Sequence, residues 1–358
     1  MPSLNNLLTV KPPYEHNQLD IISFMQQFYQ LGKDDLRKMT WLYKKSGINK
    51  RYSVLPDFTE TNASKLFNIN SLTEVSIDER LKVYNTEAFE LGKKILSLYD
   101  QSILDKVTHL ITVSCTGISA PGLELKLQKH LLPNANQRAI NFMGCYAAIH
   151  GLKQAHEITA TYTNAVVLVI DIELCTLHFQ YSTKPDLMNS AMIFGDGAAA
   201  WIIAGDNSGM SNSNDLQVIG SFSKVLHNED DKMAWYPTTT GFIMQLSSYI
   251  PEIIGDNIED LVSSALSFYK IANRNDISYC IHPGGLRILD NIKKSLALND
   301  DDLISSYEIL SEYGNMSSPT VIYVLERMLA KNRIPKGNKV LLMAFGPGLS
   351  IETFLFQA

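Results

Sequence analysis

Residues 139–174 read AINFMGCYAAIHGLKQAHEITATYTNAVVLVIDIEL. A short apolar run ends at Gly144-Cys145, an amphipathic run follows, and a continuous β-branched run from Ala165 to Leu174 closes the stretch. In the middle run Ala148, Ile149, Leu152, Ala155 and Thr159 share one helical face, while Lys153 and Glu157 fall elsewhere. Strand, helix and strand in that order, with strands apolar on both faces, predict an α/β architecture whose sheet is covered by helices.

The runs upstream fit the same pattern. THLITVSC (108–115) reads as a buried strand and PGLELKLQKHLL (121–132) as a helix. The first hundred residues read as mostly helical, from HNQLDIISFMQQFYQLG, DLRKMTWLYKKSG and IDERLKVYNTEAFELGKKILSLYDQS. AMIFGDGAAAWIIAG reads as a hairpin about Gly195-Asp196-Gly197, and DNSGMSNSNDLQ as a polar loop. The boundary between halves is placed there, giving segments 1–208 and 209–358.

The second half supplies a helix (YIPEIIGDNIEDLVSSALSFYK), a strand (ISYCIHPGG), a helix (SSPTVIYVLERMLAK) and a strand (KVLLMAFGPG). Gly144-Cys145-Tyr146-Ala147-Ala148 and Gly314-Asn315-Met316-Ser317-Ser318 each precede a helix and then a strand, 170 residues apart. The match is weak residue by residue, and coincidence is its rival. A duplication would set Cys145 and Asn315 at equivalent helix starts, facing each other across a pseudo-twofold.

Bulk properties narrow the function. Of 358 residues, 45% are hydrophobic and 19% charged, enough for one large core or two medium ones. A net charge of -6 argues against nucleic acid as the main partner, so an anionic ligand must be met by a local cluster of cations. No apolar run reaches the roughly 20 residues a bilayer demands, and the N-terminus lacks a basic region followed by an apolar one, so a cytoplasmic location away from membranes is expected. Cys115, Cys145, Cys175 and Cys280 lie far apart without zinc-ligand spacing, which suggests free thiols and no metal.

A cysteine among apolar neighbours is read first as a small buried hydrophobe. In the first turn of a helix, with a histidinium nearby, its pKa can instead fall from about 8.5 to between roughly 3.5 and 7.5. His282, at the end of the ISYCI run and before Pro-Gly-Gly, is placed where open α/β sheets carry their sites. Its rival role is to cap the strand. Asn315 offers an amide to a developing oxyanion, with capping of the next helix as the rival. His16, His130, His150, His156 and His227 read as surface or structural. Gly346-Pro347-Gly348 reads as a tight turn beside a cavity rather than a phosphate loop, for it lacks the Lys-Ser/Thr ending.

Taken together, GCYAA, IHPGG, YGNMSS, FGDGAAA and AFGPGLSIET, in this order from about Leu36 to the end, resemble the type III polyketide synthases, the chalcone/stilbene synthase-like family of the thiolase superfamily. The resemblance implies a thiolase fold: duplicated αβα halves in a five-layer αβαβα core, assembled as a homodimer. It implies an acyltransferase that loads an acyl-CoA starter on Cys145, extends it with malonyl-CoA by decarboxylative condensation, and cyclises the chain to a pyrone, resorcinol or phloroglucinol-type product. It implies that His282 pairs with the Cys145 thiolate and that His282 and Asn315 stabilise the enolate. No cofactor is implied beyond the coenzyme A thioesters that serve as substrates.

By the same resemblance Phe194 guards the mouth between a CoA tunnel and the cavity, and Lys38 and Lys45 meet the CoA phosphates. A third basic position is Trp41 here, and Arg287 is expected to restore the charge. The cavity departs from plant enzymes at Met244, Trp235, Cys115, Ala120 and His178, the Ala120 position being one that reaches a neighbouring subunit's cavity. Glu173 and Ser317 are retained from a hydrogen-bonded set that assists thioester release in some relatives, with ordinary polar packing as the rival reading. These departures favour an aliphatic acyl-CoA or malonyl-CoA starter over an aromatic one. An initiating ketoacyl synthase or a hydroxymethylglutaryl-CoA synthase is the enzymatic alternative, and a non-catalytic acyl-CoA-binding relative the other.

Overall fold

The computed structural model describes residues 1–59, 64–68, 74–180, 184–212, 215–227 and 232–358. Side-chain alternation along two strands sets the layers. In Val166–Leu174, residues Val166, Leu168, Ile170 and Ile172 pack on one face, in a cluster with helices Gln18–Phe28, Ile77–Leu96 and Leu123–Leu131. Val167 and Val169 face the other way, onto helix Ala147–Thr161. In Lys339–Gly346, residues Val340, Leu342 and Ala344 join that same central cluster, with helix Pro319–Ala330. Leu341, Met343 and Phe345 face outward to helices Ile250–Phe268, Leu286–Ser295 and Asp300–Tyr313. The order is therefore helix, sheet, helix, sheet, helix: the five-layer thiolase fold. Strands buried on both faces need no polar side, which is why their sequences read as unbroken apolar runs.

The strands run in spatial order Ile277–Ile281, Lys339–Gly346, Ser350–Gln357, Leu216–Val225, Ser3–Val10, Asp196–Ala204, Val166–Leu174, His109–Ser114 and Asn136–Asn141. Among the described residues, the strand pairing between the two groups is Ser3↔Gln217 and Leu4↔Leu216, so the sheet is two sheets joined at one corner. The corner strand was not legible as one: Asn5 and Asn6 break its apolar pattern, and its register with Asp196–Ala204 shifts between Asn5 and Leu8. It is held by pairing, not by its own alternation.

The hairpin expected about Gly195 is absent. Helix Pro185–Ile193 leads instead into the strand Asp196–Ala204. The two glycines serve close crossings: a Cβ on Gly195 would lie 2.9 Å from the Tyr313 carbonyl oxygen, and one on Gly197 would lie 2.4 Å from the Met316 sulfur. Asp196 accepts from Val54 N at 2.9 Å, Thr176 N at 2.8 Å and Thr176 Oγ1 at 2.7 Å, which fixes the chain inside the fold. The 1–208 boundary falls between the strands Asp196–Ala204 and Leu216–Val225; residues 213–214 of the polar loop lie outside the described residues. No described helix is long and apolar enough to cross a membrane.

Candidate active site

Cys145 lies in a turn two residues ahead of helix Ala147–Thr161, not in its first turn. The chain leaves strand Asn136–Asn141 through Phe142 (φ 61) and Gly144 (φ 83), both left-handed. Glycine at 144 is required twice over: the positive φ favours it, and an added Cβ would sit 2.4 Å from Pro347 Cδ. The Gly346-Pro347-Gly348 turn thus presses on the backbone that aims the thiol.

His282 follows strand Ile277–Ile281, and its N–H donates to Met343 O at 2.8 Å, extending the parallel ladder by one residue. Asn315 follows Gly314 (φ 69), which ends helix Asp300–Tyr313. Its Oδ1 accepts from Ser317 N at 2.8 Å, and its Nδ2 donates to Gly284 O at 3.2 Å. Those two contacts settle which end of the amide is the donor, and they leave Nδ2 with a second proton to give.

Cys145, His282 and Asn315 are all buried. Burial pushes the Cys145 thiol up to about 12; Ser317 and Asn315, which can hydrogen-bond the sulfur, pull the other way, and the charge of Glu173 adds to the rise. Burial pushes His282 down to about 3, and neither of its ring nitrogens has a hydrogen-bond partner among the described residues. Burial thus pushes each group, taken singly, towards its neutral form. The expected thiolate requires the proton to move from Cys145 onto His282, and the thiol's position before the helix gives it less of the dipole than a first-turn residue would have.

Two cavities lie next to the chain neighbours of these residues, one bordered by Gly144 and Ser317 and the other by Gly284. The inner one is narrow, about 40 Å³, and is lined by Phe194, Trp235, Met244, Cys115, His178 and Ser317, as expected, and by Gly144 and Phe242. The outer one, of about 560 Å³, is lined by Trp41, Lys45, Ile193, Gly284, Gly285 and Arg287. The wall between them is Ile193–Phe194, and its backbone is fixed: Asn315 N donates to Ile193 O at 2.9 Å, and Gly195 N donates to Asn315 O at 2.9 Å. The buried Arg51 guanidinium donates from Nη1 to Phe194 O at 2.5 Å and to Ala191 O at 2.7 Å.

The inner wall opposite is aromatic. His178 stacks on Phe242 with centroids 4.4 Å apart, and Trp235 stands edge-on to both. Trp235 Nε1 donates to Cys115 O at 2.8 Å. His178 Nδ1 accepts from Phe242 N at 3.1 Å, so Nε2 carries the proton and donates to Thr116 O at 2.7 Å. Burial holds this imidazole neutral, with its pKa pushed down to about 3.

Two expected residues lie elsewhere. Ala120 is exposed and lines neither of these two cavities, because the loop after Thr116 turns outward before Pro121. Lys38 points to solvent, 3.8 Å from Asp35, and does not line the outer cavity. Arg287 does, but it is ion-paired with Glu252.

Glu173 and Ser317 belong to a hydrogen-bonded network, of which sequence reading missed Asp171 and Ser318. Glu173 accepts from Cys115 N at 3.0 Å, Thr116 Oγ1 at 2.7 Å and Ser317 Oγ at 3.4 Å. Ser318 Oγ lies 3.1 Å from Glu173 Oε1 and 2.7 Å from Asp171 Oδ1. A hydroxyl has one proton, so one of these two contacts must be donated by a protonated carboxyl. Glu173 has the other donors, which assigns the carboxyl proton to Asp171. Burial, with the Glu173 charge two residues away, pushes Asp171 well above the usual range, and burial raises Glu173 to about 7. The available signal was VLVIDIEL itself, for two acids two residues apart inside an apolar strand face the same side.

Family models for the N-terminal domain of chalcone and stilbene synthases match residues 13–207, and those for the C-terminal domain match residues 217–358. A putative chalcone synthase of Bacillus subtilis is 30% identical over 98% of this chain and 96% of its own. Among solved structures, PKS-I from the brown alga Ectocarpus siliculosus superposes with a TM-score of 0.90 at 25% identity, covering 99% of this chain and 98% of that one. The C-terminal type III polyketide synthase domain of Steely1, from Dictyostelium, superposes with a TM-score of 0.89 at 26% identity, covering 99% of each.

Proposed function

Because the chain belongs to the chalcone and stilbene synthase family of type III polyketide synthases, acyltransferases of decarboxylative condensation, we propose that it builds a short polyketide on Cys145 from an acyl-CoA starter and malonyl-CoA. The observation that carries this reading is the buried His282, whose ring nitrogens have no partner among the described residues, with an Asn315 amide that donates to Gly284 O, two residues along the chain from His282, and has a second proton to give, between two cavities bordered by Gly144 and Ser317 and by Gly284.

The starter thioester enters through the outer cavity. His282 takes the Cys145 proton, the thiolate attacks the thioester carbonyl, and CoA leaves with the proton. The proton transfer conserves net charge, and each ion relieves the burial penalty of the other. Malonyl-CoA then places its thioester oxygen at His282 and Asn315 Nδ2. As the carboxylate leaves as carbon dioxide, its bonding electrons form the enolate whose oxygen these donors hold. The enolate carbon attacks the acyl carbonyl on Cys145, and the thiolate leaves. Transfer of the lengthened acyl chain back to Cys145 allows another cycle.

The two halves are read as 1–208, which brings the nucleophile, and 209–358, which brings the two oxyanion donors. The aromatic wall of His178, Trp235 and Phe242 favours a small aliphatic or malonyl starter and a short chain that closes to a pyrone, resorcinol or phloroglucinol-type ring. Coenzyme A thioesters suffice as the small molecules for these steps. A homodimer forms through the face that bears Ala120 and the exposed Ile118, and the protein works in the cytoplasm. The test is Cys145→Ala: product formation from malonyl-CoA and a panel of acyl-CoA starters, followed by mass spectrometry, falls to background, while carbon dioxide release from malonyl-CoA persists and is lost in His282→Ala. Undiminished product from Cys145→Ala refutes the proposal.

A further inference from the structure

Helix Lys33–Lys45 holds Trp41 at the lip of the outer cavity with 61% of its surface in water. Lys38, Trp41 and Lys45 are spaced three and four residues apart, so they form one stripe along the helix. Trp41 and Lys45 line the cavity, with Arg287 of helix Leu286–Ser295 lining it too.

The cations of this lip are largely spoken for. Lys38 lies 3.8 Å from Asp35, and Arg287 is paired with Glu252; Lys45 has no carboxylate partner among the described residues. A polyanionic ligand in the cavity therefore meets one unpaired cation, Lys45, one paired one, Arg287, and an exposed indole. An indole contributes attraction that does not depend on charge: nucleobases stack on aromatic faces whatever their sequence, and the flanking cations then face the phosphates attached to the base. The cavity runs from this lip to Gly284, Gly285 and Ile193, the neighbours of His282 and Phe194. A thioester placed at Asn315 therefore leaves the far, nucleotide end of its carrier at Trp41.

We propose that Trp41 is the stacking platform for the adenine ring of the coenzyme A thioesters. It takes over in part the work of a basic residue, by dispersion rather than by charge. This rests on the reading of the site as a coenzyme A-dependent synthase, and the test separates the two. Steady-state kinetics are measured for the full chain with malonyl-CoA and with the malonyl thioester of N-acetylcysteamine, which lacks the nucleotide. Trp41→Ala raises KM for malonyl-CoA about tenfold, leaves kcat unchanged and leaves KM for the truncated thioester unchanged; Trp41→Phe restores most of the loss. Equal changes in both KM values, or none, overturn the proposal.

Binding is read independently of turnover by tryptophan fluorescence, the chain having Trp41, Trp201 and Trp235. Free coenzyme A quenches the native protein, pantetheine does not, and Trp41→Phe removes the quench. If the native protein turns over neither thioester yet shows this pattern, the synthase reading fails and the nucleotide site stands. Absence of the quench in the native protein, or its persistence in Trp41→Phe, overturns the site.

Discussion

Asp171→Asn tests the proton assigned to the acid pair. The amide is isosteric with a protonated carboxyl and can donate to Ser318 Oγ, now 2.7 Å from Asp171 Oδ1, so that Ser318 still donates to Glu173. What changes is the cost of protonation. An unfolded aspartate ionises near pH 3.9, so a folded state that keeps Asp171 protonated must take up a proton, at about 1.4 kcal/mol per pH unit above that value. The sign follows from the raised folded pKa: stability from such a group is present below its unfolded pKa and is lost as pH rises towards the folded one. The variant takes up no proton, so its stability relative to the native protein rises with pH above about 3.9, by about 1.4 kcal/mol per unit for as long as Asp171 stays protonated in the folded state. At the acid end the unsatisfied second amide proton leaves it about 1 kcal/mol less stable. Urea unfolding midpoints of both proteins, measured in parallel at half-unit steps, read the difference directly. A pH-independent gap, or a variant several kcal/mol less stable at pH 7, as loss of an ionised partner would produce, refutes the assignment.

Other outcomes follow from the same geometry. His282 and His178 are both buried with pKa values pushed down to about 3; their stabilising share is whole above about pH 6.5 and is lost towards pH 3, together at about 2.7 kcal/mol per pH unit. His178→Gln halves that acid slope in urea titrations, and an unchanged slope contradicts it. Gly144→Ala, with its Cβ driven towards Pro347 Cδ at a positive φ, costs at least about 2 kcal/mol and abolishes acyl transfer; a thermally unshifted, active variant counts against the turn's role. His282→Gln slows iodoacetamide labelling of Cys145 near neutral pH without changing the other three cysteines, as peptide mapping reads it; equal labelling would mean that the thiolate forms without His282. Glu352, buried between helix Ala147–Thr161 and strand Leu216–Val225, is paired with Lys153 and accepts from Ser223 Oγ at 2.7 Å and Ser350 Oγ at 2.8 Å. Glu352→Leu leaves Lys153 without its counter-ion and lowers stability by about 3 kcal/mol, whereas a loss below 1 kcal/mol would show the pair to be solvated.

The strands His109–Ser114, Val166–Leu174, Ile277–Ile281 and Lys339–Gly346 and the helices Ala147–Thr161, Ile250–Phe268 and Pro319–Ala330 could be read from the chain because each buries both faces or one clear stripe. Helices Leu286–Ser295 and Asp300–Tyr313 were not read, and strand Asn136–Asn141 is largely exposed. The corner strand Ser3–Val10 could not be read either, since its residence in the sheet depends on Gln217 and on the strand from Asp196, both some 200 residues away. Gly195 misled for a related reason: a glycine needed for close approach to Tyr313 looks the same in sequence as one needed for a turn. The residue types of Cys145, His282 and Asn315 pointed to their chemistry, and motif resemblance supplied their grouping. Their protonation did not follow, because it depends on how little water reaches them. Lys38 was placed by resemblance at a phosphate, and here it is exposed beside Asp35 and does not line the outer cavity; Ala120 was placed at a position that reaches a neighbouring subunit's cavity.

The backbone bridge between Phe194 and Asn315 separates two kinds of change that sequence comparison treats alike. Because the main chain beside Phe194 is hydrogen-bonded to Asn315, the residue proposed to polarise the thioester, a substitution that alters only the side chain at 194 reshapes the inner cavity and leaves the Asn315 amide where it is. An insertion, deletion or proline nearby moves both. Substrate range can therefore drift at this position one side chain at a time, whereas the loop's length and path are locked to the chemistry.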